Sequence, residues 1–175
     1  MGFPQCPEII IVKRLVILLS FGLCLLYLLQ PLSYLRVLEV SGGQVIVLQP
    51  LESGREFALL YTHSVHKSPV IEVFSIQPPR GLYLKRTGFK DFGVGIPYST
   101  PHKFTMDKDD FFWIEDIDEP LGSFTLRVQE IPQQRLVFGE REINLLELTP
   151  AGSLVKIEAV MGSRLKLWVK ERVKW

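Results

Sequence analysis

The chain has 175 residues, with 20 Lys and Arg against 19 Asp and Glu, and a formal charge of +1 at neutral pH. Domains usually contain about 100–200 residues, so this length predicts one globular domain. The balanced charge argues against a nucleic-acid-binding protein, which needs a strongly basic face. A hydrophobic content of 47% excludes a disordered chain, and two cysteines are too few for a disulfide framework or a four-cysteine zinc site.

A long uncharged segment lies near the N-terminus, at residues 15–35. About 20 mainly apolar residues are enough to span a bilayer core of roughly 30 Å. Lys13 and Arg14 precede the segment and Arg36 follows it, which favours a cytoplasmic N-terminus. A cleaved secretory signal has the same charged start, but no small-residue cleavage motif follows the apolar run. We expect a cytoplasmic segment at 1–14, an uncleaved single-pass anchor at 15–35 in the cell membrane, and a domain outside the cytoplasm at 37–175.

Short β-branched and aromatic segments, bounded by Gly, Pro or charged turns, recur through residues 37–175. This pattern predicts an all-β domain, an antiparallel β-sandwich or barrel preceded by the transmembrane helix. After the anchor, the sequence has no stretch of ten residues with clean helical periodicity. The predicted strands are residues 44–48, 57–65, 70–77, 82–86, 111–117, 123–129, 135–138, 143–148, 154–160 and 165–173.

The strands at 57–65 and 70–77 are predicted to form a hairpin around a loop at residues 66–69. In that register His63 lies directly opposite Glu72, close enough for a hydrogen bond. A different turn length shifts the pairing but keeps both side chains on one face. Their neighbours on that face would be Phe57, Leu59, Tyr61, Val65, Phe74 and Ile76.

An ionisable pair on an apolar face is costly unless it is satisfied, and such pairs accumulate at functional sites. A purely structural pair that fixes the hairpin is the alternative explanation, and acid–base catalysis is a third. The hairpin residues predicted to contact a ligand or partner are Tyr61, His63, Ser64, His66 and Glu72.

A glycine-rich segment with aromatic residues follows the hairpin. It is not a phosphate-binding loop, because it has neither a third glycine nor a Gly-Lys-Ser/Thr ending. It can cover a small ligand, or it can be a bulged strand at a barrel corner. The residues that we add to the predicted binding site are Phe92, Gly93, Gly95 and Pro97.

We expect no cofactor, no metal site and no assigned catalytic residue. His63 and His66 are three positions apart, which points them to opposite faces of a strand. The acidic run at 107–119 lacks the glycine and the alternating ligands of an EF-hand. No Gly-x-Ser-x-Gly motif is present to expose a nucleophilic serine.

Four segments together resemble the bacterial and archaeal domain-of-unknown-function family 1850, over roughly residues 55–150. They are Tyr61–Val65, Ser68–Phe74, Thr87–Phe89 and Gly93–Pro97. The resemblance implies a small protein, often with an N-terminal hydrophobic segment, encoded beside TRAP-type transporters of the TAXI class. It therefore implies transporter subunits or their substrate-binding protein as partners, and it carries over no enzymology.

Two functional hypotheses follow. In the first, the domain is an accessory module that binds a ligand or a membrane partner through a broad contact surface. In the second, it is a small extracytoplasmic hydrolase or isomerase in which His63 is the base and Glu72 orients it. The second requires an open cleft and a group that stabilises developing charge, and the sequence offers no candidate for that group. We therefore favour the binding module.

Overall fold

The computed structural model describes residues 7–91 and 100–165, without the side chains of residues 7–11. The predicted site residues Phe92, Gly93, Gly95 and Pro97 lie outside this part of the chain, as does nearly all of the strand predicted at 165–173. The described chain forms two compact units. One contains residues 7–32 together with residues 162–165, and the other contains the described residues between 33 and 161.

The first unit is built on the helix α1, Pro7–Leu29. At 1.5 Å per residue a helix of this length extends roughly 35 Å. From Val12 to Leu29 it is apolar, and almost all of its side chains are exposed. The prediction of one N-terminal helix long and apolar enough to cross a membrane is therefore confirmed. The helix ends at Leu29 rather than at Leu35, because Pro31, which lacks a backbone N–H, begins the first strand.

The rest of the described chain is mainly antiparallel β-structure, which confirms the predicted fold class. Two strands, the first and the sixth, were not predicted, and residues 145–147 form a turn of 3-10 helix instead of continuing a strand. The strands are β1 Pro31–Glu39, β2 Val45–Pro50, β3 Glu56–Thr62, β4 Pro69–Gln77, β5 Gly81–Phe89, β6 Lys103–Met106, β7 Phe112–Glu115, β8 Glu119–Arg127, β9 Arg135–Phe138, β10 Arg141–Asn144 and β11 Leu154–Ser163.

The strands form a single curled sheet with the shape of a half-barrel. Its order is β10-β9-β3-β4-β5-β8-β11-β1-β2, and the β6–β7 hairpin extends from β5. Arg141 of β10 donates a hydrogen bond of 2.7 Å to the Gln49 side chain of β2, so side chains of the two end strands meet. Between β5 and β8 the backbones cross closely: Gly81 has a φ of +96°, and a Cβ there would collide with the carbonyl oxygen of Gly122.

Alternate residues of the strands point to the concave face and bury the main core there. An aromatic stack runs through this core. The Phe74 ring centroid lies 5.3 Å from that of Phe57 and 4.9 Å from that of Phe124. The buried core residues are Leu35, Val37, Val47, Leu51, Phe57, Leu59, Phe74, Ile76, Leu82, Val128, Leu136, Leu145, Val155 and Ile157.

The β3–β4 hairpin has a longer loop than predicted. Its last register pair is Thr62 with Pro69, so residues 63–68 form the loop and Val65 is 66% exposed. The backbone N–H of His63 donates to the carbonyl of Ser68, and Lys67 donates to the carbonyl of His63. These bonds end the strand at Thr62, three residues earlier than the predicted end. The predicted pairing of His63 with Glu72 is therefore wrong, because Glu72 lies opposite Leu59.

Candidate functional site

A pocket of about 430 Å³ lies between the hairpin β3–β4, the strand β8 and the loop after β8. This volume is within the range of about 300–1,000 Å³ that is typical of small-molecule sites. The wall is mixed: apolar and aromatic side chains alternate with hydroxyl, amide and carboxyl groups. The lining residues are Leu59, Tyr61, Thr62, His63, Ser64, Glu72, Phe124, Thr125, Leu126, Gln129, Pro132 and Gln134.

A carboxyl–phenol pair lies in the wall of this pocket. Leu59 and Glu72 are register partners, and so are Tyr61 and Val70, so Tyr61 and Glu72 are diagonal neighbours on one face. The Tyr61 hydroxyl donates a hydrogen bond to Glu72 Oε1 at 3.2 Å. The same face carries the buried Leu59. The hairpin thus places one acidic side chain on the face that otherwise forms the hydrophobic core.

Burial controls the charge of both groups. Loss of hydration raises the pKa of the Glu72 carboxyl, and the hydrogen bond from Tyr61 only partly opposes this rise. The pKa of the Tyr61 hydroxyl is raised by burial first, and then by the charge of Glu72 and by the hydrogen bond to it. Tyr61 is therefore a neutral donor at physiological pH. Glu72 is a carboxyl group whose ionised form is disfavoured by its surroundings.

His63 lies at the same pocket but does not pair with Glu72. Its Nδ1 accepts a hydrogen bond from the backbone N–H of His66 at 3.3 Å, and the two imidazole centroids are 5.2 Å apart. Within the described residues, no hydrogen bond joins the His63 and Glu72 side chains. Ser64 is exposed at the rim, and His66 is exposed and is not among the residues that line the pocket. The histidine–glutamate hydrogen bond that the catalytic hypothesis requires is thus absent from this part of the chain.

The opposite wall is held by backbone contacts of the loop after β8. The buried Gln134 side chain accepts from the backbone N–H of Gln129 at 3.1 Å and donates to the carbonyl of Arg127 at 2.9 Å. The N–H of Thr62 donates to the carbonyl of Pro132 at 2.8 Å, which ties this loop to the end of β3. Both walls of the pocket are therefore fixed by hydrogen bonds within the protein.

The structure brings four of the sequence-predicted residues, Tyr61, His63, Ser64 and Glu72, to one pocket. Sequence reasoning did not find the wall that faces them. In the sequence, Phe124 and Leu126 have the pattern of ordinary inward-facing strand residues, and Gln134 is a polar residue next to a turn. They meet the hairpin only because the curled sheet brings β8 across from β3, and no local pattern in the sequence signals that contact.

Metal ligation has no support in the described part of the chain, where no group of three His, Cys, Asp or Glu side chains is arranged to hold an ion. His63 and His66 are close to one another, but a third ligand is missing among the described residues. The chemistry that these residues offer is hydrogen bonding and charge, supplied by one carboxyl, one phenol and one imidazole.

Comparison with known families gives one result. The family described as a domain of unknown function (DUF1850) matches residues 57–145, about half of the chain. The chain belongs to this family, and the match includes β3, β4 and β8, which carry most of the pocket. No curated protein matches the chain, and no solved structure matches it.

Proposed function

We propose that this member of the DUF1850 family is a membrane-anchored β-domain that binds a small organic molecule in the pocket between β3, β4 and β8. The observation that carries the proposal is the Tyr61–Glu72 pair, exposed to a pocket of about 430 Å³ with otherwise mixed walls. Ligand sites are typically concave and largely apolar, with a few polar groups that orient the ligand. The apolar helix α1 supports membrane attachment.

Binding explains the geometry better than catalysis does. A general base needs a free lone pair within hydrogen-bond reach of the proton that it abstracts. The Nδ1 of His63 is engaged by the backbone of its own loop, and Glu72 is engaged by Tyr61. Because the Tyr61 hydroxyl donates its proton to Glu72, both groups offer oxygen lone pairs to a bound molecule and accept hydrogen bonds from it. The pocket therefore has recognition groups, and its histidine has no orienting carboxylate.

The position of the domain in the cell is part of the proposal. We place the β-domain outside the cytoplasm, where it would pass its ligand to a TRAP-type transporter or to the substrate-binding protein of that transporter. The family resemblance supports this partnership, and the membrane-spanning length of α1 is compatible with it. Co-purification of the full-length chain with transporter subunits from native membranes is the expected result. Recovery of the chain without them would remove this part of the proposal.

The pocket itself is tested by ligand-observed NMR on the full-length protein in nonionic detergent, with a library of small fragments. We expect several fragments to bind. Gln129→Trp should weaken their binding, because it puts a large ring on an exposed residue of the pocket wall. Glu140→Trp is the matched control, since it puts the same ring on an exposed residue that lines neither this pocket nor the one beside it. Fragments that bind equally well to both variants and to the unmodified protein would contradict the proposal.

A further inference from the structure

The side chains that line the pocket in the described chain include an acidic residue but no Lys or Arg. Among the twelve residues that line it in the described chain, Glu72 is the acidic residue, and none is Lys or Arg. His63 also lines the wall. A pocket with one carboxyl and no strong cation repels anions and attracts cations. The wall is thus electrostatically suited to a positively charged ligand.

Five carboxylates in or beside the strands have cationic partners. These are Glu56, Glu115, Asp118, Glu142 and Glu158, each within ion-pair distance of a Lys or Arg side chain. In the described residues Glu72 takes part in no such pair, and its hydrogen bond comes from a neutral phenol. A partly buried carboxyl without a counter-charge is energetically unfavourable. A cation within about 4–6 Å favours the ionised form of a carboxyl and removes that cost.

The aromatic residues of the wall add a second attraction for a cation. Tyr61 lies beside Glu72, and Phe124 faces the pocket from β8. Aromatic faces attract ammonium groups, more strongly where water is excluded. The apolar side chains of Leu59 and Leu126 line the same space and suit a hydrocarbon body. The wall therefore combines a carboxylate, two aromatic rings and an apolar surface.

We infer that the ligand of this pocket is a small organic cation, an ammonium group on a short apolar body, whose charged group binds Glu72. This inference rests on the proposed binding function and names the class of ligand. The ammonium hydrogens donate to the Glu72 carboxylate, and the hydroxyl of Tyr61 keeps that carboxylate oriented. The apolar body lies against Leu126 and Phe124.

Three probes of similar shape and different charge test the inference: phenethylammonium, 2-phenylethanol and 3-phenylpropanoate. Each is titrated into the full-length protein in nonionic detergent, and the dissociation constant is measured by ligand-observed NMR. We expect phenethylammonium to bind about tenfold more tightly than the alcohol, because a charge-assisted hydrogen bond is stronger than a neutral one. The propanoate should bind more weakly than both.

Three variants test whether the charge of Glu72, rather than the shape of the pocket, determines the affinity for the cation. Glu72→Gln keeps the size of the side chain and removes the charge, so the affinity for phenethylammonium should fall about tenfold while that for the alcohol is nearly unchanged. Glu158→Gln removes a carboxylate outside the pocket and is the matched control, with no expected change in affinity. Tyr61→Phe keeps the charge and the ring, so it should retain most of the cation binding. If Glu72→Gln is misfolded, the order of affinities of the three probes for the unmodified protein still tests the inference.

The outcomes distinguish the two proposals. If the alcohol or the propanoate binds as tightly as the cation, and Gln129→Trp abolishes that binding, the pocket is a ligand site but the inferred charge is wrong. If phenethylammonium binds equally well to Glu72→Gln, the inference is also overturned. If none of the three probes and no fragment binds, both the inference and the proposed function are contradicted.

Discussion

Two glutamates in the middle of strands, Glu158 in β11 and Glu72 in β4, have opposite surroundings. Val155 and Ile157 are buried in the core, and Glu158 has the opposite position in the alternation, so it points away from the core. Arg36 of β1 lies 2.6 Å from its carboxylate and Lys156 lies 2.9 Å from it. Glu72 points to the concave face, where its hydrogen bond comes from the neutral hydroxyl of Tyr61. One glutamate is part of an ion-pair network, and the other has no cationic partner in the described chain.

The difference shows that ionised Glu158 stabilises the fold and that ionised Glu72 does not. Burial acts to raise the pKa of Glu158, but the hydrogen bonds and charges of Lys156 and Arg36 outweigh it, and the pKa is lowered. For Glu72 burial prevails, and the pKa is raised. Because the ionised form of Glu72 destabilises the fold, stability does not explain why an acidic residue occupies this position. Carboxyls perturbed in this way, and located in a pocket, are candidates for binding.

The largest effect is expected from removing a cation of Glu158. Arg36→Met leaves the carboxylate with Lys156 alone, and the pair is partly shielded from water, with side chains 32% and 14% exposed. We expect the free energy of unfolding to fall by about 1–2 kcal/mol, between the values for surface and buried pairs. Denaturant unfolding of the full-length chain in detergent, followed by Trp fluorescence, measures this change.

Arg55→Met is the matched control for this prediction. Arg55 pairs with Glu52 at 3.2 Å, but the two side chains are 68% and 73% exposed. A surface pair of this kind contributes little, so the loss should stay below about 0.5 kcal/mol. Equal losses in the two variants would show that the Arg36–Glu158 pair is no more important than a surface contact.

The two glutamates should give opposite dependences of stability on pH. The lowered pKa of Glu158 means that its contribution is present above pH 4.5, the ordinary value, and is lost as the pH falls through the folded-state pKa. The raised pKa of Glu72 means that its contribution is present below pH 4.5 and is lost as the pH rises through the folded-state pKa.

Unfolding curves of Glu72→Gln and Glu158→Gln from pH 3 to pH 8 test this contrast. At neutral pH we expect Glu158→Gln to be less stable than the unmodified protein by about 1 kcal/mol. Glu72→Gln should be as stable or more stable, and it should lose less stability than the unmodified protein as the pH rises. Parallel curves for the two variants would contradict the difference between the two sites.

Local patterns in the sequence predict most of this fold. Period-two alternation and turn residues locate nine of the eleven strands in the described part of the chain, and β9 has the predicted bounds, Arg135–Phe138. The strand β1 was missed because the uncharged segment that predicts the anchor continues past Pro31 to Leu35. The strand β6 was missed because its four residues are too few to show a period.

The site was less predictable than the fold, for two physical reasons. The alternation of side chains predicts correctly that Glu72 shares a face with Leu59 and Tyr61, but it does not fix the register. The register depends on the loop, and the bonds from His63 to Ser68 and Lys67 lengthen that loop. The second wall comes from Phe124 and its neighbours in β8, which only the tertiary curl of the sheet brings opposite the hairpin.

The smallest effect concerns the hydrogen bond that orients Glu72. Tyr61→Phe removes the donor, and because that bond lowers the pKa of Glu72 against the effect of burial, the pKa should rise further. The loss of one neutral hydrogen bond should reduce stability by about 1 kcal/mol or less. Carboxyl-carbon NMR titration of Glu72 measures the shift. Tyr83→Phe, a partly buried tyrosine of β5, is the control and should leave the titration unchanged. If Tyr61→Phe also leaves it unchanged, the phenol does not hold the carboxylate, and the pocket presents Glu72 alone.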